Sequence, residues 1–316
     1  MRGLFLDDAV LTYREDLPEP TAGPGEVRVE VLQAGLCATD QALARGYMGF
    51  RGIPGHEFVG RALDGEYAGR RVVGDINAAC GSCETCAAGD PHHCPHRSVL
   101  GILGRGGAFA ERLVLPAVNL LPVPDSVSDD AAIFVEPLAA AFEIAEQVDL
   151  HPGLSALVAG DGKLGLLCAW VLALHGARVT VAGRHAERAS LLPEGVALET
   201  GLLEAGDPGD AERFDLAVEA TGNPAVLPRL IGRVRPRGTL VLKTTTEAPV
   251  TLDLAPVVID ELRVIGSRCG PFDRALAALA AGEVPVARAI AARFPLEQGP
   301  RAFEAARGTL KVVLEV

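Results

Sequence analysis

The stretch that most constrains the fold runs from residue 155 to residue 183. The short apolar run Ala156, Leu157, Val158, Ala159 meets Gly160-Asp161-Gly162-Lys163-Leu164-Gly165, and an apolar segment over 164–174 follows. A buried strand, a glycine turn, a helix apolar on all sides, a stop at Gly176 and a second strand over 178–182 make one βαβ unit. Such a unit commits its neighbourhood to a parallel sheet covered by helices, and similar runs at 216–220, 239–243 and 262–265 supply further strands. The G-x-G-x-x-G spacing alone is a weak signal. Between a strand and a helix, its glycines let backbone amides approach a pyrophosphate while the helix N-terminus adds partial positive charge. Gly160, Gly162, Lys163, Leu164 and Gly165 are therefore expected to bind a dinucleotide, the alternative being an ordinary glycine turn.

The end of the second strand bears on which dinucleotide. An NAD site usually carries Asp or Glu there for the ribose 2′-hydroxyl. Here the position falls on Gly183, followed by Arg184, His185 and, a turn later, Arg188. Without a carboxylate at 183 a 2′-phosphate meets less repulsion, and an arginine can grip it with two hydrogen bonds, so NADP is favoured over NAD. The competing reading makes these basic residues a solvated helix start.

The chain before residue 129 is β-rich. Val27, Val29 and Val31 alternate with Arg28 and Glu30, and short β runs recur at 71–73 and 112–115 between Gly and Pro clusters. Into this barrel-like region falls Cys80-x2-Cys83-x2-Cys86-x7-Cys94. Four thiols on one loop suit a closed tetrahedral structural zinc. A disulfide framework is disfavoured because nothing else looks secreted, while spacing alone leaves an iron–sulfur site open. Cys37-Ala38-Thr39-Asp40, then Gly55-His56-Glu57, and then Glu136 offer thiolate, imidazole and carboxylate, a mixed set suited to a catalytic zinc with an open position. Each alone would pass for a core cysteine or a satisfied polar residue. Leu138, Ala141, Phe142, Ala145 and Val148 share one helical face, and Pro137 at the first helical position would place Glu136 at the amino-terminal end. The last segment, 272–316, carries helices around 275–281 and 300–306 and a strand over 311–316.

Composition removes several function classes. With 29 Lys and Arg against 41 Asp and Glu, the net charge of −12 opposes a nucleic-acid-binding surface. The N-terminus is acidic where a signal peptide would be apolar, and the 164–174 run is too short to span a bilayer. Seven cysteines, five of them at candidate metal positions, fit a reducing compartment, with Cys168 and Cys269 as buried free thiols. The expectation is a soluble, cytoplasmic protein with no membrane partner.

In order, GLCATD, GHEFVG, CGSCETCAAGDPHHC, GAFAE, VEPLA, VAGDGKLG and VEATG resemble the zinc-dependent medium-chain dehydrogenase/reductase (alcohol dehydrogenase-like) family over nearly the whole chain. The resemblance implies an α/β protein. Residues 1–138 would form a GroES-like β-rich catalytic domain with a structural zinc lobe. Residues 139–268 would form a Rossmann domain with a doubly wound parallel sheet, and 269–316 would return to the first domain. It further implies two zinc ions per chain. Cys37, His56 and Glu136 would hold the catalytic one, with Glu57 as a fourth ligand or a neighbour exchanging with water; Cys80, Cys83, Cys86 and Cys94 would hold the structural one. Asp40 would orient His56, Thr39 would hydrogen-bond the substrate oxygen and pass its proton, and Thr221 and Gly222 would pack near the nicotinamide. The reaction would be hydride transfer between the nicotinamide and a small-molecule alcohol/carbonyl substrate, in a homodimer or homotetramer.

Two departures from the family pattern matter. The proton-relay His that many relatives carry after the Thr is absent from Gln41, Ala42 and Leu43. Glu136 stands where classical alcohol dehydrogenases have Cys, which moves the expected substrate toward polyols and other polar alcohols. Tyr47, Met48, Phe50, Arg51 and Phe109 are the expected pocket neighbours. The alternatives are a zinc-free quinone or enoyl reductase of the same superfamily and a catalytically silent NADP-binding regulatory protein.

Overall fold

The alternation at Val27, Val29 and Val31 becomes the strand Glu26–Gly35, with those three valines turned into the core. The computed structural model describes residues 1–203, 212–245 and 249–316. They divide into two units, one of Met1–Glu136 with Phe272–Val316 and one of Pro137–Pro271.

In the first unit, Glu26–Gly35 sits inside a sheet ordered Leu120–Pro122, Arg71–Gly74, Glu57–Ala62, Glu26–Gly35, Lys311–Glu315, Ile290–Pro295, and it also pairs with Arg112–Pro116. Its register shifts between Val31 and Gln33 and then pairs Gly35 with Glu57 on one side and with Val313 on the other. That double pairing carries the chain into Cys37 beside His56 and brings Lys311, from the far end of the chain, to the same place. The four-cysteine loop hangs from a small sheet of Asn77–Ala78, Ser98–Leu100 and Gly104–Arg105.

In the second unit, six parallel strands run in the order Ala197–Thr200, Arg178–Gly183, Ser155–Ala159, Phe214–Glu219, Val234–Leu242, Arg263–Gly266. Ser155–Ala159 is buried throughout, and the helix Lys163–Leu174 buries residues on most of its circumference, as its apolar composition requires. Gly176 ends that helix at φ +78°, a conformation that strains a residue with a Cβ. The crossovers reverse direction between Ser155–Ala159 and Phe214–Glu219, the switch point at which sheets of this kind open a crevice at their carboxyl edge.

Pro137 is the third residue of the helix Val135–Gln147, not the first. The first turn tolerates it equally, because no amide there has an intrahelical acceptor to lose. Among the strands that the sequence reading did not assign are Ala197–Thr200 and Ile290–Pro295. Both are sheet edges; Ala197–Thr200 is mostly exposed, and Ile290–Pro295 only half-buries Ile290, Ala292 and Phe294. No helix among the described residues is long and apolar enough to cross a membrane.

Candidate metal and dinucleotide sites

The cysteine lobe brings its four sulfurs together. Cys83 Sγ lies 3.5 Å from Cys86 Sγ and 3.7 Å from Cys94 Sγ, and Cys94 Sγ lies 3.5 Å from Cys80 Sγ. Disulfide sulfurs sit about 2.05 Å apart, so none of these is bonded. Zinc–thiolate bonds of about 2.3 Å give a tetrahedron with edges of about 3.8 Å, which matches; a multi-iron cluster would push the thiolates further apart. The thiols also cannot share charge evenly. A backbone amide at Ser82 and the neighbouring Cys94 lower Cys80 to about 6, while burial and the Cys83 sulfur push Cys86 up to about 12. A dication resolves that conflict by taking all four as thiolates.

The second cluster starts from a local turn. Cys37 caps the helix Ala38–Leu43, and its amide donates to Asp40 Oδ2 at 2.8 Å. The other oxygen of the same buried carboxylate faces His56 Nδ1 at 3.3 Å. Neither of these two atoms has a hydrogen-bond partner, so they oppose one another without the alignment of a bond. The ligating atoms of Cys37, His56 and Glu57 all lie within 4.8 Å of one another. Burial alone would lower the His56 pKa, but Asp40 and Cys37 raise it well above the ordinary imidazole range. A cysteine sulfur, an imidazole nitrogen and a carboxylate oxygen this close together form a donor set that fits zinc.

Glu136 is not part of that 4.8 Å group. Burial pushes its carboxyl up to about 7, against the attraction of His56 and with the repulsion of Glu57. Thr39 Oγ1 lies 3.9 Å from Cys37 Sγ. Gln41, where a relay His would be looked for, spends its amide on the Phe303 carbonyl at 2.7 Å.

Lys311 is a site residue that the sequence reading missed. It is fully buried, donates to Glu57 Oε2, and holds its ammonium 5.2 Å above the Phe134 ring. The available signal was one of only three lysines opening an apolar strand. Met48, Phe50 and Arg51 line a cavity of about 390 Å³ together with Ile53 and Leu103. Phe109 does not: it is core, wedged edge-on against Phe303 at 5.7 Å and under Gly55, where a Cβ would meet its ring at 2.6 Å.

In the second unit the three glycines of the turn have three distinct surroundings. Gly160 takes φ +112° and passes so close to the neighbouring loop that a Cβ would meet the Ala220 carbonyl at 2.6 Å. Gly162 faces open space, with nothing within 4 Å of a Cβ, which leaves the backbone accessible to a pyrophosphate. Gly165 packs its helix onto the turn, where a Cβ would lie 1.9 Å from the Gly160 carbonyl. Lys163 and Leu164 open the helix. At the next strand end, Asp161 Oδ2 accepts from the Arg184 and His185 amides and from His185 Nδ1, and Arg188 donates to the Asp161 carbonyl at 3.0 Å. On the other side, the buried Glu219 carboxylate accepts from the Thr221 hydroxyl at 2.6 Å and from the Thr221 and Gly222 amides, shaping the exposed loop that presents both. All three loops lie at the carboxyl edge of adjacent strands.

Known proteins share the family and the fold. The family model of the alcohol dehydrogenase GroES-like domain matches residues 23–125, and that of the glucose dehydrogenase C-terminus matches 124–316. The chain is 33% identical over 272 residues to an L-threonine 3-dehydrogenase of Streptomyces coelicolor, covering 79% of each protein. It superposes on an alcohol dehydrogenase from E. coli CFT073 complexed with NADH at a TM-score of 0.89 and 26% identity, covering 100% of this chain and 99% of that one. A dehydrogenase from Sinorhizobium meliloti 1021 bound to NADP gives a TM-score of 0.88 at 27% identity, with 100% and 99% covered. With both halves matched by family models, the chain belongs to the zinc-dependent medium-chain dehydrogenase/reductase family of alcohol dehydrogenase-like oxidoreductases.

Proposed function

We propose that this protein is a zinc-dependent NAD(P) oxidoreductase that interconverts an alcohol and a carbonyl in a small polar molecule, of the polyol or amino-alcohol class. The observation that carries the reading is the group of half-buried Cys37 with buried His56 and Glu57, and Asp40 behind it, in a chain that also assembles a glycine turn suited to a dinucleotide. The relationship to an L-threonine 3-dehydrogenase supports the polar substrate.

Cys37 and His56 would hold the catalytic metal, with Glu136 or Glu57 as the carboxylate ligand, and Cys80, Cys83, Cys86 and Cys94 the structural one. When bound, zinc supplies a Lewis acid toward the substrate oxygen and the dinucleotide a hydride carrier. Asp40, whose Oδ1 faces His56 Nδ1 at 3.3 Å, would orient the ring and leave Nε2 for the metal. Lys311 sets its ammonium against the Glu57 carboxylate beside the cluster. Thr39, its hydroxyl 3.9 Å from Cys37 Sγ, would hydrogen-bond the substrate oxygen and take its proton; Gln41, tied to the Phe303 carbonyl, would not relay it. Gly160, Gly162 and Gly165 would shape the pyrophosphate cradle, and Thr221 and Gly222 would pack near the nicotinamide end. The exposed Leu254, Val258, Ile259 and Val264, beside the edge strand Arg263–Gly266, support pairing with a second copy through the sheet edge.

The test is metal analysis combined with an absorbance screen. Two zinc ions per chain and dinucleotide reduction with at least one polyol, sugar alcohol or amino alcohol are expected. A zinc-free protein would point to a quinone or enoyl reductase, and full zinc with no turnover of any substrate would remove the enzyme reading. Sedimentation of the same sample should show a dimer or tetramer, and a monomer would count against the edge pairing.

A further inference from the structure

The sequence argument for NADP rests on the missing acid at the end of the second parallel strand, where Gly183 stands. In the folded protein that place is not free of negative charge. Asp161, the second residue of the glycine turn, crosses to it and accepts from the Arg184 amide at 2.8 Å, the His185 amide at 2.7 Å and the His185 ring at 3.0 Å. Two successive backbone amides turned toward one oxygen form the kind of nest that binds an anion, so the groups a phosphate would use are already taken by a carboxylate.

Gly183 is explained by the same contact. A Cβ at 183 would lie 2.6 Å from Asp161 Oδ2 and 2.7 Å from its Cβ. No side chain fits at 183 while Asp161 holds this position, so the absent acid and the crossing acid are a single arrangement. Burial pushes the Asp161 carboxyl up, but the Arg184 and His185 amides and the His185 ring outweigh it and hold it below the usual range, so it is ionised at neutral pH. Arg188 is turned to the same residue, donating to its carbonyl and standing 3.5 Å from Oδ1. Two of the three basic residues that favoured NADP therefore face a negative charge before any cofactor arrives. The third, Arg184, is exposed, where attraction to a phosphate is screened by water.

We propose that Asp161 is the residue that decides between the two dinucleotides, holding a carboxylate at the end of Arg178–Gly183 and so selecting a cofactor whose adenosine ribose keeps a free 2′-hydroxyl. A 2′-phosphate brings between one and two further negative charges against a poorly solvated carboxylate, whereas a hydroxyl can donate to it. This inference rests on the dinucleotide reading of the glycine turn.

Equilibrium binding of NADH and NADPH to the zinc-loaded full chain, followed by nicotinamide fluorescence, tests it without reference to turnover. The wild-type protein should bind NADH about tenfold or more tighter than NADPH. Asp161→Asn keeps an oxygen for the two amides while removing the charge, and it should tighten NADPH about tenfold or more with NADH unchanged or weaker. NADPH bound as tightly as NADH by the wild type, or both cofactors changed equally by Asp161→Asn, overturns the proposal. Because the wild-type comparison needs no variant, a substitution that unfolds the protein does not rescue it. Binding of neither cofactor overturns the dinucleotide reading itself, whereas binding of both with NADPH preferred overturns only the role of Asp161.

Discussion

Replacing Lys311 with methionine should sharply destabilise the first unit. Lys311 is 0% exposed and its partner Glu57 1% exposed, and the two charges are in direct contact. The pair is closely packed against the strand: a Cβ on Gly35 would lie 2.5 Å from Glu57 Oε2 and 3.3 Å from Lys311 Cδ. Methionine matches the lysine stem in length but leaves the Glu57 carboxylate buried without its counter-charge, which costs about 3–5 kcal/mol. Losing the ammonium over Phe134 adds up to about 1 kcal/mol. For a unit of this size each kcal/mol lowers the melting temperature by about 2–4 °C, so a drop on the order of 10 °C is expected. Heat unfolding followed by circular dichroism would be compared for wild type, Lys311→Met, Glu57→Gln and the double variant, all stripped of metal so that zinc binding does not contribute. The double variant should recover much of the loss, because it no longer buries an unpaired charge. A Lys311→Met shift below about 2 °C, or a double variant no more stable than Lys311→Met, would falsify the buried-pair argument.

Two substitutions in the glycine turn should separate packing from ligand approach. Gly165→Ala places a Cβ 1.9 Å from the Gly160 carbonyl, so both thermal stability and dinucleotide binding should fall. Gly162→Ala meets nothing within 4 Å and has φ −78°, so it should change stability by less than about 1 kcal/mol while still weakening the dinucleotide, as calorimetric titration would read. Equal effects of the two would sink the assignment. Asp215 should confer pH-dependent stability on the second unit. Burial raises its carboxyl, but the Ser155 hydroxyl and amide and Arg235 more than offset this and bring it to about 2. Its folded pKa thus lies below the unfolded value near 3.9, so its contribution is complete above that value and is lost as pH falls through about 2. With the side chain 39% exposed, screening reduces the effect to about 1 kcal/mol. The stability gap between wild type and Asp215→Asn, measured by urea unfolding, should be constant from pH 7 to about 5 and close below about 4; a gap that persists to pH 2 would contradict the linkage.

What the sequence by itself made legible was whatever lies close along the chain. The cysteine loop closes within 80–94, and its ligand spacing is its geometry. The glycine turn is legible because Gly160, Gly162 and Gly165 act on each other and on the helix they open. Strands such as Glu26–Gly35 and Ser155–Ala159 announce themselves through period and composition, and the exposed edge Ala197–Thr200 does not, because neither of its faces is wholly apolar. Only tertiary structure decided the contacts that tune the sites. Strand pairing through Gly35 brings Lys311 to Glu57 across 254 positions of chain. The parallel crossover brings Asp161 to the amides of Arg184 and His185, where the sequence had shown only a glycine and three basic residues. A charge can be counted from the sequence, but the field it produces depends on which neighbour the fold sets against it and how much water lies between them.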